Sequence, residues 1–220
     1  MDPRLPLFPL GTVLFPGAVL PLHVFEERYR LLVHDLLDQP EPHSFGVVAI
    51  ELGHEVGARA ARQLAQVGCT AILHQVTPHT DGRYDLITVG DQRFRITDVD
   101  DSQPYLRATV TPLPDQPGTG PDGPAQQVDR LFHHYRRRLI DAGAEAGQAV
   151  DLPADPVRLS YLIAGALVLD RTEKQRLLEA ADATVRLVME ADLLLREIRL
   201  LNVLPSVPAY HLIEGGAHPN

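Results

Sequence analysis

Leu5-Pro6-Leu7-Phe8-Pro9-Leu10, then Phe15-Pro16-Gly17, then Leu20-Pro21-Leu22-His23-Val24-Phe25-Glu26-Glu27-Arg28-Tyr29 stand near the N-terminus, and their order decides the fold. Proline has no N–H to give to a ladder, so Pro6, Pro9 and Pro21 place residues 5–10 and 19–25 in edge or irregular strands. Phe15-Pro16-Gly17 suits a type II turn, in which Pro16 pre-sets φ and Gly17 takes the positive φ. Glu26 and Glu27 then sit where a helix N-terminus favours negative charge. Tyr29, Leu32, Val33 and Leu36 follow at i, i+3, i+4 and i+7, which is one apolar helix face.

Further strands are expected at 45–51, 67–77, 83–90, 93–99 and 105–111, with Asp81-Gly82 as a hairpin signal. In 84–89 apolar residues occupy both alternating sets, which leaves the facing of that strand open. Short strands with Gly-rich turns and one long helix favour a closed or half-closed barrel over residues 1–112. The Pro/Gly-rich stretch 113–124 reads as a linker. A helical subdomain of about four helices is expected over 125–204, followed by a tail at 205–220. Val128, Leu131, Phe132, Tyr135 and Leu139 recur at helical spacing. Asp155-Pro156 is an N-cap with proline at N1, and Asp170 with Glu173 resembles a capping box. Leu187, Ala191, Leu194, Ile198 and Leu201 form the stripe of the last helix. The fold class is therefore α+β.

The N-terminal order of strand, turn, strand and helix resembles the opening of the Lon protease N-terminal domain, the substrate-binding module of an ATP-dependent protease. It resembles even more the small stand-alone proteins built from that module. Phe45-Gly46-Val47-Val48-Ala49-Ile50 with Glu55-Val56-Gly57, Val67-Gly68-Cys69-Thr70-Ala71-Ile72, and Asp81-Gly82-Arg83 with Gly90-Asp91-Gln92-Arg93-Phe94-Arg95-Ile96 and Pro104-Tyr105-Leu106-Arg107-Ala108 look like its later blocks. Asp155-Pro156-Val157-Arg158-Leu159-Ser160 and Glu173-Lys174-Gln175-Arg176-Leu177-Leu178-Glu179 resemble its helical half. The resemblance implies a PUA-like β pseudo-barrel and the capture of unfolded or tagged polypeptide. A complete Lon protease continues into ATPase and peptidase domains. No G-x-x-x-x-G-K-[ST] loop occurs here, and Lys174, the sole lysine, lies in an amphipathic helix. The binding role carries over and the chemistry does not.

Composition narrows the function classes. The net charge of −9 is spread along the chain, with 9 Lys+Arg against 14 Asp+Glu in residues 1–112. Nucleic-acid binders draw most of their affinity from phosphate neutralisation, and neither half has the basic excess for it. Arg136-Arg137-Arg138 reads as a solvated helix face. No apolar run is long enough for a membrane span, and Met1-Asp2-Pro3-Arg4 does not open a signal peptide. The single cysteine, Cys69, rules out an internal disulfide and fits a cytoplasmic location.

No catalytic constellation or metal site is expected. His133 and His134 are adjacent on a helix and point about 100° apart. His74 and His79 lack a ligand at metal spacing, and no H-E-x-x-H or C-x-x-C occurs. Cys69 and His74, five apart on a strand, face opposite ways, so Cys69 reads as a small buried residue. No cofactor is implied. Arg93 and Arg95 read as structural, paired with Asp91, Asp98, Asp100 or Asp101; an RNA-contacting strand is the alternative. An unrecognised hydrolase would require a cleft with strongly perturbed titratable groups.

The candidate polypeptide-binding residues are Val13, Phe15, Leu20, Leu22 and Phe25. A strand buries one face in one core, so alternate members of this set must face a second surface. That surface is either the helical subdomain or a groove for an unfolded or tagged polypeptide or a protein partner. Extended peptide could also add to the proline-marked edge 5–10.

Overall fold

A computed structural model describes residues 4–53, 61–144 and 151–203. The Glu55-Val56-Gly57 block and the tail 205–220 lie outside them. Among the described residues there are seven strands and five helices: β1 (Leu5–Leu10), β2 (Val19–Val24), α1 (Glu27–Leu37), β3 (Ser44–Gly53), β4 (Ala61–Leu64), β5 (Val67–Pro78), β6 (Tyr84–Asp100), β7 (Arg107–Leu113), α2 (Asp122–Asp141), α3 (Pro156–Ala166), α4 (Arg171–Glu179) and α5 (Ala183–Val203). The class is α+β, a sheet domain followed by a helical part.

The sheet runs β1-β7-β6-β5-β3-β4, and β1 also pairs with β3, so β1, β7, β6, β5 and β3 form a closed ring. Leu7 to Leu10 align in parallel with Gly46 to Ala49, while Leu5 and Pro6 face Ala108 and Arg107. Residues 5–10 are therefore not the edge their prolines suggest. Two short pairings at opposite ends of β1 share its ladder positions, and that tolerates two missing N–H donors. Among the described residues two strands pair on one side only: β4, which pairs with β3, and β2, which pairs with β6.

β6 also departs from the sequence reading. Segments 83–90 and 93–99 join into one strand, because the register slips between Cys69 and Ala71 opposite and absorbs Asp91-Gln92 as a bulge. The Thr70 hydroxyl holds that bulge, accepting from Gln92 N–H at 3.0 Å and donating to Gln92 C=O at 3.1 Å. Along 84–89 the inward set is Leu86 and Thr88, and the Thr88 hydroxyl donates to Leu20 C=O.

α1 buries Tyr29, Leu32, Val33 and Leu36, the stripe read from their spacing, and Tyr29 stacks on Phe8 with centroids 4.1 Å apart. Cys69 is fully buried in the same core, and burial pushes its thiol up to about 12. α2, α3 and α5 enclose a second core around Phe132, Leu159, Ile163, Leu187 and Leu194. The Asp155 and Asp170 side chains cap α3 and α4 by accepting from Arg158 and Glu173 N–H. α2 begins at Asp122, so residues 122–124 of the expected linker are helical; proline fits the first turn, where no intrahelical N–H bond is lost. The remaining 114–121 segment is pinned: Ala183 N–H donates to Gln116 C=O and Thr184 N–H to Pro117 C=O.

Sheet and helices share a third core, in which Phe15 and Val67 meet Tyr161, Ala164, Leu177 and Leu178. A polar network borders it. Arg93, 2% exposed, donates from Nη1 to the carbonyls of Leu178 and Ala180 and from Nε to Asp115. This corrects the expected pairing of Arg93 with Asp91, Asp98, Asp100 or Asp101, because its side chain points into the helical layer. Arg186, 1% exposed, donates to Leu177 C=O, Ser160 Oγ and Tyr161 Oη, and its guanidinium lies 4.0 Å over the Tyr161 ring. Tyr161 Oη in turn donates to Asp115 in a short hydrogen bond.

One turn along α5, Glu190 is fully buried with neither carboxyl oxygen hydrogen-bonded. Burial raises its pKa well above the ordinary carboxylate range, against the attraction of Arg186. The folded state thus holds a proton that the unfolded chain releases above about pH 4.3. The favourable contribution is full below that pH and is lost as pH climbs toward the raised value. Glu190→Gln should therefore gain stability relative to wild type as pH rises from about 5 to 8, read from urea midpoints at each pH. Arg186→Ala, which strands three acceptors and opens a cavity, should lose about 3 kcal/mol or more in the same assay.

Candidate functional site

The corner at residues 13–29 separates two concavities. Its turn is stapled to the sheet: Ala18 N–H closes on Phe15 C=O, Gly17 N–H donates to Gly90 C=O, and Gly90 N–H donates to Ala18 C=O. Gly17 has φ of 79°, as the type II reading requires. Gly90 permits the close approach, since a Cβ there would lie 2.2 Å from Phe15 O.

The structure divides the five candidate residues. Phe15 is 1% exposed and faces Tyr161 in the core shared with the helices, and Val13 packs beside it. Phe15 is therefore not available to a ligand, because the tethered helical layer has taken that face. Leu20 and Leu22 are partly buried against the α1 core. Phe25 is 49% exposed.

Leu22 and Phe25 line a cleft of about 210 Å³ with Phe8, Pro9, Leu10 and Tyr29. This cleft runs between β1 and the unpaired side of β2. The second concavity, about 910 Å³, lies between barrel and helices on the other side of the corner. Its apolar lining includes Pro16, Ala18, Val157 and Leu162, and Asp91, Asp115, Asp151 and Asp155 give it an acidic rim with Arg158 as the single cation.

No serine, threonine or cysteine is among the residues lining either concavity. Tyr161, which lines the larger concavity, is pushed up by burial while donating to Asp115, and Tyr105 rises to about 12 through burial and its bond to Asp35. Arg93 faces inward, so the strand that could have met RNA offers only Arg95 as a solvent-exposed arginine. Sequence reasoning missed the Arg186–Glu190 pair, although its i, i+4 spacing beside Leu187, Ala191 and Leu194 was a usable signal. It also missed a cluster in which His23 and His79 flank Asp85.

The closed ring, the second strand beside it and the helical layer match known proteins. A family model described as the ATP-dependent protease La (LON) substrate-binding domain matches residues 4–196. The chain belongs to that family. Lon protease 2 of Myxococcus xanthus is 28% identical over 203 residues, covering 90% of this chain and 24% of the relative. Lon protease of Koribacter versatilis is 32% identical over 188 residues, covering 83% and 23%. The chain thus spans about a quarter of the length of the curated relatives it matches. A Lon N-terminal domain protein from Xanthomonas campestris has the same fold at TM-score 0.59 and 25% identity, covering 92% of this chain and 99% of that one. The N-terminal domain of Mycobacterium avium complex Lon protease aligns at TM-score 0.62 and 20% identity, over 89% and 98%.

The staple at Gly90 holds the corner between both concavities. Gly90→Ala should destabilise the protein by about 1–3 kcal/mol, because the backbone carbonyl it meets cannot rotate away. The measurement is the urea midpoint, with an unchanged slope confirming a two-state transition.

Proposed function

We propose that this chain is a non-catalytic recognition module that binds unfolded or tagged polypeptide, or a protein partner, in an adaptor or holdase role in the cytoplasm. The observation that carries this reading is Phe25. It stands half exposed at the rim of an apolar cleft whose wall is the unpaired side of β2. An aromatic anchor beside a free strand edge is the equipment for extended peptide: the backbone adds to the edge, and alternate side chains enter the cleft. Membership of a substrate-binding family supports the class of ligand.

Leu22 and Phe25 form the contact surface. Val13, Phe15 and Leu20 support it from behind by fixing the corner. RNA binding is the weaker reading, since the larger concavity is rimmed with aspartates that repel phosphate. A hydrolase reading lacks a nucleophile beside a base in either concavity.

The test is a fluorescence-anisotropy titration of a labelled unfolded peptide against wild type and Phe25→Ser, with circular dichroism confirming that both are folded. Phe25→Ser should bind about tenfold more weakly, equivalent to about 1.4 kcal/mol. Equal binding by the two proteins would remove the corner cleft as the site.

A further inference from the structure

His23, His79 and Asp85 come from three separate segments and meet at one point on the barrel surface, with ligand atoms all within 4.8 Å of one another. Strand pairing brings them there. His23 on β2 lies directly opposite Asp85 on β6, and Thr77 of β5 lies opposite Asp85 on its other side. His79 follows β5 into the hairpin, where its N–H donates to Arg83 C=O and its C=O accepts from Gly82 N–H. Asp85 thus stands between two imidazoles, each presenting one nitrogen to a different carboxylate oxygen. His23 Nδ1 is 2.6 Å from Oδ1, and His79 Nε2 is 2.7 Å from Oδ2. The rings are placed edge to face with centroids 6.0 Å apart, and the Phe25 ring stacks against His23.

The geometry points to a divalent transition-metal site of the zinc class, with His23 Nδ1, His79 Nε2 and one Asp85 oxygen as ligands and a fourth position left to water. Two imidazoles and a carboxylate form a donor set suited to Zn²⁺, Co²⁺ or Ni²⁺ rather than to Ca²⁺ or Mg²⁺. A tetrahedral ion with bonds of about 2.0–2.2 Å needs donor atoms about 3.3 Å apart. The His–Asp contact to the ligating oxygen must open by less than about 1 Å, and the other imidazole must swing from the second carboxylate oxygen toward the same ion, movements about surface χ angles. The side chains are 40–50% exposed, which leaves room for that adjustment.

In the metal-free state each imidazole N–H donates to the Asp85 carboxylate, and those bonds hold the Asp85 carboxyl below the ordinary range. On binding, each neutral imidazole carries its proton on the other ring nitrogen and gives the metal a lone pair. For His23 that nitrogen is Nε2, which lies 3.5 Å from Arg83 Nη1. The Arg83 cation, itself held by Asp81, therefore opposes metal binding both by charge and by facing an N–H donor. Cys69 cannot compete for the ion, being fully buried with its thiol pushed up to about 12.

The experiment is a titration of Zn²⁺ into the full chain in competition with a chromophoric chelator, with Co²⁺ substitution read by visible absorption. His79→Ala and Asp85→Asn leave Phe25 and the corner cleft intact, and His133→Ala/His134→Ala controls for surface histidines elsewhere. Wild type should take up one ion per chain and give the strong visible bands of four-coordinate Co²⁺. His79→Ala and Asp85→Asn should each lose about tenfold or more in affinity. Arg83→Ala should bind more tightly, and the His133/His134 variant should match wild type. Uptake that survives both ligand substitutions, that falls in the His133/His134 variant instead, or that fails altogether against the chelator would overturn the site.

Discussion

Arg93 leaves the barrel on β6 and ends in the helical layer, where its Nη1 binds the carbonyls of Leu178 and Ala180. Those groups sit at the C-terminal end of α4 and would otherwise be buried acceptors without a donor, next to the negative end of the helix dipole. Arg186 reaches the same helix end from α5 through Leu177 C=O. Tyr161 and Asp115 join the two arginines. Two buried guanidiniums so close together repel, and burial together with that repulsion lowers the pKa of Arg186. Asp115 supplies the compensating charge, which is why the 114–121 connection lies against the helices and does not swing free. The relative placement of sheet and helices, and hence the larger concavity between them, depends on this joint.

The corner at 13–29 is shaped by the same joint from the other side. Phe15 enters the shared core beside Tyr161, and the Phe15–Ala18 turn is held at Gly90. With that face committed, β2 turns Leu20, Leu22 and Val24 toward α1 and the cleft beside β1. Phe25, just beyond the strand and before α1, finds no core to enter. Its exposure follows from geometry: the chain must turn from strand to helix there, and both neighbouring interiors are already filled.

Local signals carried much of the fold. The stripe on α1, the N-caps of α3 and α4, the Gly17 turn and the Gly82 hairpin are each set within a few residues, and the structure has them where the sequence places them. Long-range pairing escaped the sequence. Pro6 and Pro9 mark missing N–H groups, which fits an edge strand equally well and a strand shared between two short ladders, and only the β1–β3 pairing distinguishes them. Arg93 beside Asp91 suggested a local ion pair, yet alternation along β6 turns its side chain toward Asp115, 22 residues away. The candidate site was legible as a segment but not residue by residue, because Val13, Phe15, Leu20, Leu22 and Phe25 are equally apolar and differ only in what lies opposite each.

By itself the sequence determined the fold class, the helix faces, the turns and the family, because these rest on periodicity, on φ at glycine and proline, and on hydrogen bonds closed within one turn. The tertiary structure alone decided which apolar residue is buried and which remains at the surface, which strands keep an unpaired edge, and that His23, His79 and Asp85 stand together. These outcomes depend on contacts between residues far apart in the chain, set by strand register and by competition among neighbours for the same apolar faces. No local pattern encodes that competition.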